Sequence, residues 1–105
     1  MNYKLIRDKI PEIAKAQGTP IKYAVIDDPD FLKELADNKL REEVGEYLAS
    51  HSLEELADVM TCLTIAVESL GYTMKDLNEV YAKKIDERGG FSKHIIGLFD
   101  DEDKQ

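Results

Sequence analysis

Residues 42–58 read EEVGEYLASHSLEELAD, and this stretch decides the fold. Ser52 with Glu55 three residues on makes a capping box that opens a helix running to about Leu70. Upstream, Leu32, Leu35, Ala36, Leu40, Val44, Tyr47 and Leu48 recur at helical spacing, so a first long helix spans about Pro29 to Ala49. Asp28 is its N-cap, Pro29 its first position, and only Gly45 weakens it. The connection Ser50-His51-Ser52 is so short that the two helices must be antiparallel neighbours. The second helix is apolar at Leu53, Leu56, Val59, Met60, Leu63, Ala66, Val67 and Leu70, wider than one stripe. Contact on two sides follows, and a dimer interface is the economical source of the second.

Outward from the hairpin, Arg7 to Gln17 reads as a brief helix with Pro11 in its first turn and Gly18 as its stop. IKYAVI, residues 21–26, reads as a short strand. Gly71 ends the second long helix, and Thr73 with Asp76 opens a third, TMKDLNEVYAKKIDER, stopped by Gly89-Gly90. FSKHIIGLF, residues 91–99, reads as a second strand able to pair with the first, and DDEDKQ, 100–105, as a flexible, solvated acidic tail. The expected fold is mainly α: an antiparallel helix hairpin plus a third helix, completed by dimerisation, with a short two-stranded β-ribbon. At 105 residues the chain fits one domain.

Composition narrows the partners. Lys and Arg total 14 against 22 Asp and Glu, a net charge of −8 that argues against nucleic acid polymers and anionic membrane surfaces. A phosphate-bearing ligand therefore needs a metal to mask the acids. One cysteine, Cys62, excludes an internal disulfide, and neither a signal-peptide core nor an apolar run of about 20 residues is present. A cytoplasmic protein is expected.

Helix arithmetic then brings four acids together. Glu43 and Glu46 share a face of the first long helix, and Glu55 and Asp58 a face of the second. At about 1.5 Å per residue, Glu46 and Glu55 each lie roughly 5 Å from the turn, and Glu43 and Asp58 about 9–10 Å. The pairs Glu46 with Glu55 and Glu43 with Asp58 are thus level. Glu43, between Leu40 and Tyr47, and Asp58, beside Val59 and one turn before Cys62, point inward. Unpaired acids are costly there. Four converging carboxylates call for a cation, and an oxygen-only shell suits Mg²⁺, with Mn²⁺ as a substitute.

The motifs Glu42-Glu43-Val44-Gly45-Glu46 and Glu55-Leu56-Ala57-Asp58 together resemble the EExxE and ExxD signature of the MazG-like all-α nucleoside triphosphate pyrophosphohydrolase superfamily, which includes phosphoribosyl-ATP pyrophosphohydrolase. KLIRDKIPEI from Lys4 and ERGGF from Glu87 resemble its small single-domain branch. The eight residues between Glu46 and Glu55 are fewer than is usual in larger members.

The resemblance implies Mg²⁺-dependent cleavage between the α- and β-phosphates of a nucleotide, with a role in nucleotide-pool cleansing and a homodimer or homotetramer as the assembly. It implies Glu43, Glu46, Glu55 and Asp58 as metal ligands, and Glu42, with Glu43 and Glu46, in the catalytic group, where Glu42 orients or deprotonates water. Lys39, Arg7, Lys9, Lys84 and Arg88 are the basic residues nearest the matched segments and the candidates for substrate phosphates. Two alternatives stand beside this reading. One is phosphoribosyl-ATP pyrophosphohydrolase itself; the other is a non-catalytic helical dimer that binds nucleotide or protein. His51 and His94 lack a second His or Cys at ligand spacing and read as structural or solvent-facing, and Cys62 as a core residue.

Overall fold

A computed structural model describes residues 2–100 and contains four helices. They are α1 (Ile10–Ala16), α2 (Pro29–Ser50), α3 (Leu53–Ser69) and α4 (Met74–Arg88). The chain divides into two units, one ending at Met74 and one beginning at Lys75.

In the first unit the local signals act as their chemistry dictates. Asp28 caps α2 by accepting from the Asp30 N–H at 3.0 Å. Ser52 caps α3 by accepting from the Glu55 N–H at 3.2 Å. Between them His51 takes the left-handed conformation at φ 53°, and its N–H donates to the Tyr47 carbonyl at 2.7 Å. A chain that must reverse in two residues uses this conformation because it ends a helix while still satisfying a carbonyl. Gly71, at φ +85°, closes α3 in the same manner, its N–H donating to the Glu68 carbonyl.

The antiparallel α2 and α3 pack against each other, and Leu35, Ala36 and Cys62 are their buried apolar residues. Leu32, Leu40, Tyr47, Val59, Ile65, Ala66 and Val67 are half-buried around them. The apolar width expected of α3 resolves into two stripes. One faces α2; the other, Leu53, Leu56, Met60, Leu63 and Leu70, is exposed.

Neither expected strand forms among the described residues. IKYAVI and the stretch 91–99 carry strand-forming side chains, but a strand needs a paired edge to satisfy its backbone, and propensity alone does not supply one. The acidic tail beyond Asp100 lies outside the described residues.

The second unit consists of α4 and the stretch after it. Gly89 ends α4 at φ +77°, its N–H donating to the Ile85 carbonyl at 2.8 Å. Nothing in α4 is buried, and Phe91 is 95% exposed. No helix among the described residues is long and apolar enough to cross a membrane.

Candidate metal centre

Glu43 is the buried acid of the hairpin, 6% exposed on the inner face of α2. The two-residue connection sets α3 beside it so that Glu55 and Asp58, one turn apart, face the same level. One carboxylate oxygen from each of Glu43, Glu55 and Asp58 lies within 4.8 Å of the other two. Glu42, Glu43 and Glu46, all on α2, form a second group within the same limit. Glu43 belongs to both groups. The expected pairing of Glu43 with Asp58 is present in this group, and Glu46, though exposed, stands close enough to Glu55 to raise its carboxyl, so the expected partners come together in both pairs. The arithmetic treated the hairpin as two level rungs. Glu43 is the hub that joins them, because a side chain at that height reaches both acids that α3 presents one turn apart.

Among the described residues, two oxygens at this centre find no hydrogen-bond partner. Glu43 Oε2 and Glu55 Oε2 are buried without a hydrogen bond. Leaving a charged acceptor unsatisfied costs more than a hydrogen bond returns, so native structures keep few of them. The donor set is all oxygen, contributed by two helices, which is what a hard divalent cation takes.

Charge shifts follow from the crowding. Glu55 is pushed up to about 7, first because its carboxyl loses water and then because Glu46 and Glu43 stand beside it. Burial pulls the Lys39 ammonium down, but its hydrogen bond to Glu43 and the charges of Glu42 and Glu43 outweigh this and leave it raised. The hydrogen bond from Lys4, helped by the charge of Lys39, holds Glu42 below its ordinary value against some loss of water. Burial, with the Glu43 charge behind it, pushes the Cys62 thiol up. Cys62 is thus a core residue with an inert thiol rather than a nucleophile.

Of the five expected phosphate cations, two stand at the centre. Lys39 lies 3.1 Å from Glu43 Oε1 and 3.5 Å from Glu42 Oε2, as its positions three and four residues before them require. Arg7 Nη2 donates to Asp58 Oδ1 at 2.6 Å and to Thr61 Oγ1 at 3.2 Å. Lys9 is exposed at the start of α1. Lys84 and Arg88 belong to the second unit, where they line an open hollow of about 590 Å³ with Tyr81, Ile85 and Phe91. His51 serves the turn, its ring meeting Tyr47 edge-on with centroids 5.3 Å apart, and His94 sits at φ 56° in a turn closed on the Phe91 carbonyl.

Lys4 is the site residue that sequence reasoning missed. Its Nζ donates to Glu42 Oε1 at 3.2 Å. The available signal was the spacing of Lys4 and Arg7, two cations three residues apart in an acidic chain, but without periodicity nothing in that segment told where it docks. No family model, curated protein or solved structure matches the chain.

Proposed function

We propose that this chain is a Mg²⁺-dependent nucleoside triphosphate pyrophosphohydrolase of the MazG-like kind, cleaving between the α- and β-phosphates to give a nucleoside monophosphate and pyrophosphate. The observation that carries this reading is the pair of buried, unpartnered oxygens of Glu43 and Glu55 in a three-acid group spanning two helices. Glu43, Glu55 and Asp58, with Glu46 at the open side, are the ligands. When bound, the metal polarises phosphoryl oxygens and lowers the pKa of an attacking water. Glu42, kept ionised by Lys4 and Lys39, is suited to accept a hydrogen bond from water and orient it. Lys39 supplies a fixed positive charge beside the acids.

The biological role in this reading is nucleotide-pool cleansing, and the assembly is a homodimer or homotetramer. The exposed stripe of α3, Leu53, Leu56, Met60, Leu63 and Leu70, supports that assembly, since contiguous apolar faces on small domains are commonly covered by a partner.

The test is pyrophosphate release with Mg²⁺ across deoxynucleoside triphosphates, modified nucleoside triphosphates and phosphoribosyl-ATP. The reading expects release from at least one triphosphate, and its loss in Glu46→Ala and Asp58→Ala with helicity retained. Release from phosphoribosyl-ATP alone would assign the histidine-pathway chemistry instead. Absence of any metal-dependent release would leave a non-catalytic binding dimer.

A further inference from the structure

Two of the cations at the acid group belong to neither helix of the hairpin. Lys4 and Arg7 stand in the segment before α1, which has no regular structure, and they reach Glu42 on α2 and Asp58 on α3. Arg7 extends to Thr61, one turn beyond Asp58. Tyr3 meets Phe31 of α2 edge-on, ring centroids 5.9 Å apart. One short segment is thereby tied at three places, an aromatic contact and two ion pairs, across the mouth of the acid group.

The two ion pairs are only partly shielded, with Lys4 and Arg7 each more than half exposed. Pairs of this kind are weak and screened by salt. A divalent ion held by several carboxylates is a stronger partner for the same oxygens. It also repels cations a few ångströms away, and Asp58, whose carboxylate accepts from Arg7, is in the group a metal would use. Lys39 differs, because its place on α2 keeps it near Glu42 and Glu43 regardless.

We propose that residues 3–7 form a charge-compensating strap: Lys4 and Arg7 hold the acids of the metal-free protein, and a divalent ion displaces them, leaving two free cations beside the bound ion. This rests on the metal reading above. The displaced cations are then open to an anionic ligand.

Mn²⁺ binding to the full chain, measured by calorimetry at low salt, tests the competition. Lys4→Gln with Arg7→Gln is expected to bind Mn²⁺ tighter, by roughly two- to fivefold for each cation removed, with the gain shrinking as salt rises. Lys33→Gln, whose partner Asp37 lies outside the acid group, is expected to match the wild type. Trypsin reports displacement on the unaltered protein: Mg²⁺ is expected to speed cleavage after Lys4 and Arg7. Unchanged or weaker Mn²⁺ binding in the folded double variant, or cleavage slowed by Mg²⁺, would overturn the strap alone. A wild-type protein that binds no Mn²⁺ would overturn the metal reading and the strap with it.

Discussion

The hairpin of α2 and α3 and the α4 unit are both amphipathic, yet they use their inner faces differently. The hairpin closes over a buried carboxylate, Glu43, and surrounds it with two more acids and two tethering cations. Among the described residues the α4 unit buries nothing, and its apolar side chains Val80, Tyr81, Ile85 and Phe91 remain exposed. A short connection lets two helices satisfy one another within the chain, whereas a single helix leaves its apolar face to be met by something else. The difference sets the gathered acids in the hairpin and the unmet packing in α4 and on the outer stripe of α3.

The largest effect that tests this contrast comes from the hub. Glu43→Gln or Asp58→Asn is expected to lower pyrophosphate release by about a hundredfold or more, since even the groups that support metal ligands are worth 10–100-fold. Circular dichroism should show helicity unchanged. Turnover near wild type in both variants would separate the acids from the chemistry and leave the hairpin a purely structural element.

Next in size is the cation fixed within the hairpin. Lys39→Ala is expected to raise KM by about tenfold, the worth of one charge-assisted hydrogen bond, since its ammonium stands 3.1 Å from Glu43 Oε1. An unchanged KM would leave Lys39 a structural partner of Glu42 and Glu43 alone.

A pH series sharpens the hairpin side. Glu55, ordinarily near 4.5, stands at about 7 in the folded protein. Below 4.5 both folded and unfolded chains hold its proton, and its contribution to stability is intact. Between 4.5 and about 7 the unfolded chain gives up the proton first, so metal-free stability falls as pH rises, and above 7 the contribution is gone. Glu55→Gln is therefore expected to melt above the wild type at pH 8 without metal, the two converging towards pH 4.5. Mg²⁺ should reverse the order, and its binding near pH 7 should release protons, seen as a calorimetric heat that depends on the buffer's ionisation enthalpy. Equal melting at pH 8 would remove Glu55 from the crowded group.

The smallest expected effect is at Gly45. A Cβ there meets no atom within 4 Å, and the residue lies within α2, so Gly45→Ala should stabilise the protein by about 0.5–1 kcal/mol in thermal or urea unfolding. If turnover falls while stability rises, that open space belongs to the substrate or a second copy.

The parts of this molecule legible in its sequence are those governed by near neighbours. Asp28 and Ser52 are caps because their side chains reach a backbone N–H two or three residues on. Helix pitch alone places Glu43 near Asp58. What was not legible depends on distant residues. Lys4 meets Glu42 across 38 positions, and no local pattern encodes that docking. The strand expected of Ile21 to Ile26 rested on side-chain propensity, which a missing partner edge overrides.

Cys62 is 4% exposed on the inner face of α3, one turn from Asp58. Since the hairpin must part before a reagent can reach it, the rate at which this one thiol is modified is a clock for that opening, separate from global unfolding. The chain thus carries its own reporter at the floor of its acid group. A ligand that clamps the two helices slows that clock, and anything that only coats the outer faces leaves it running.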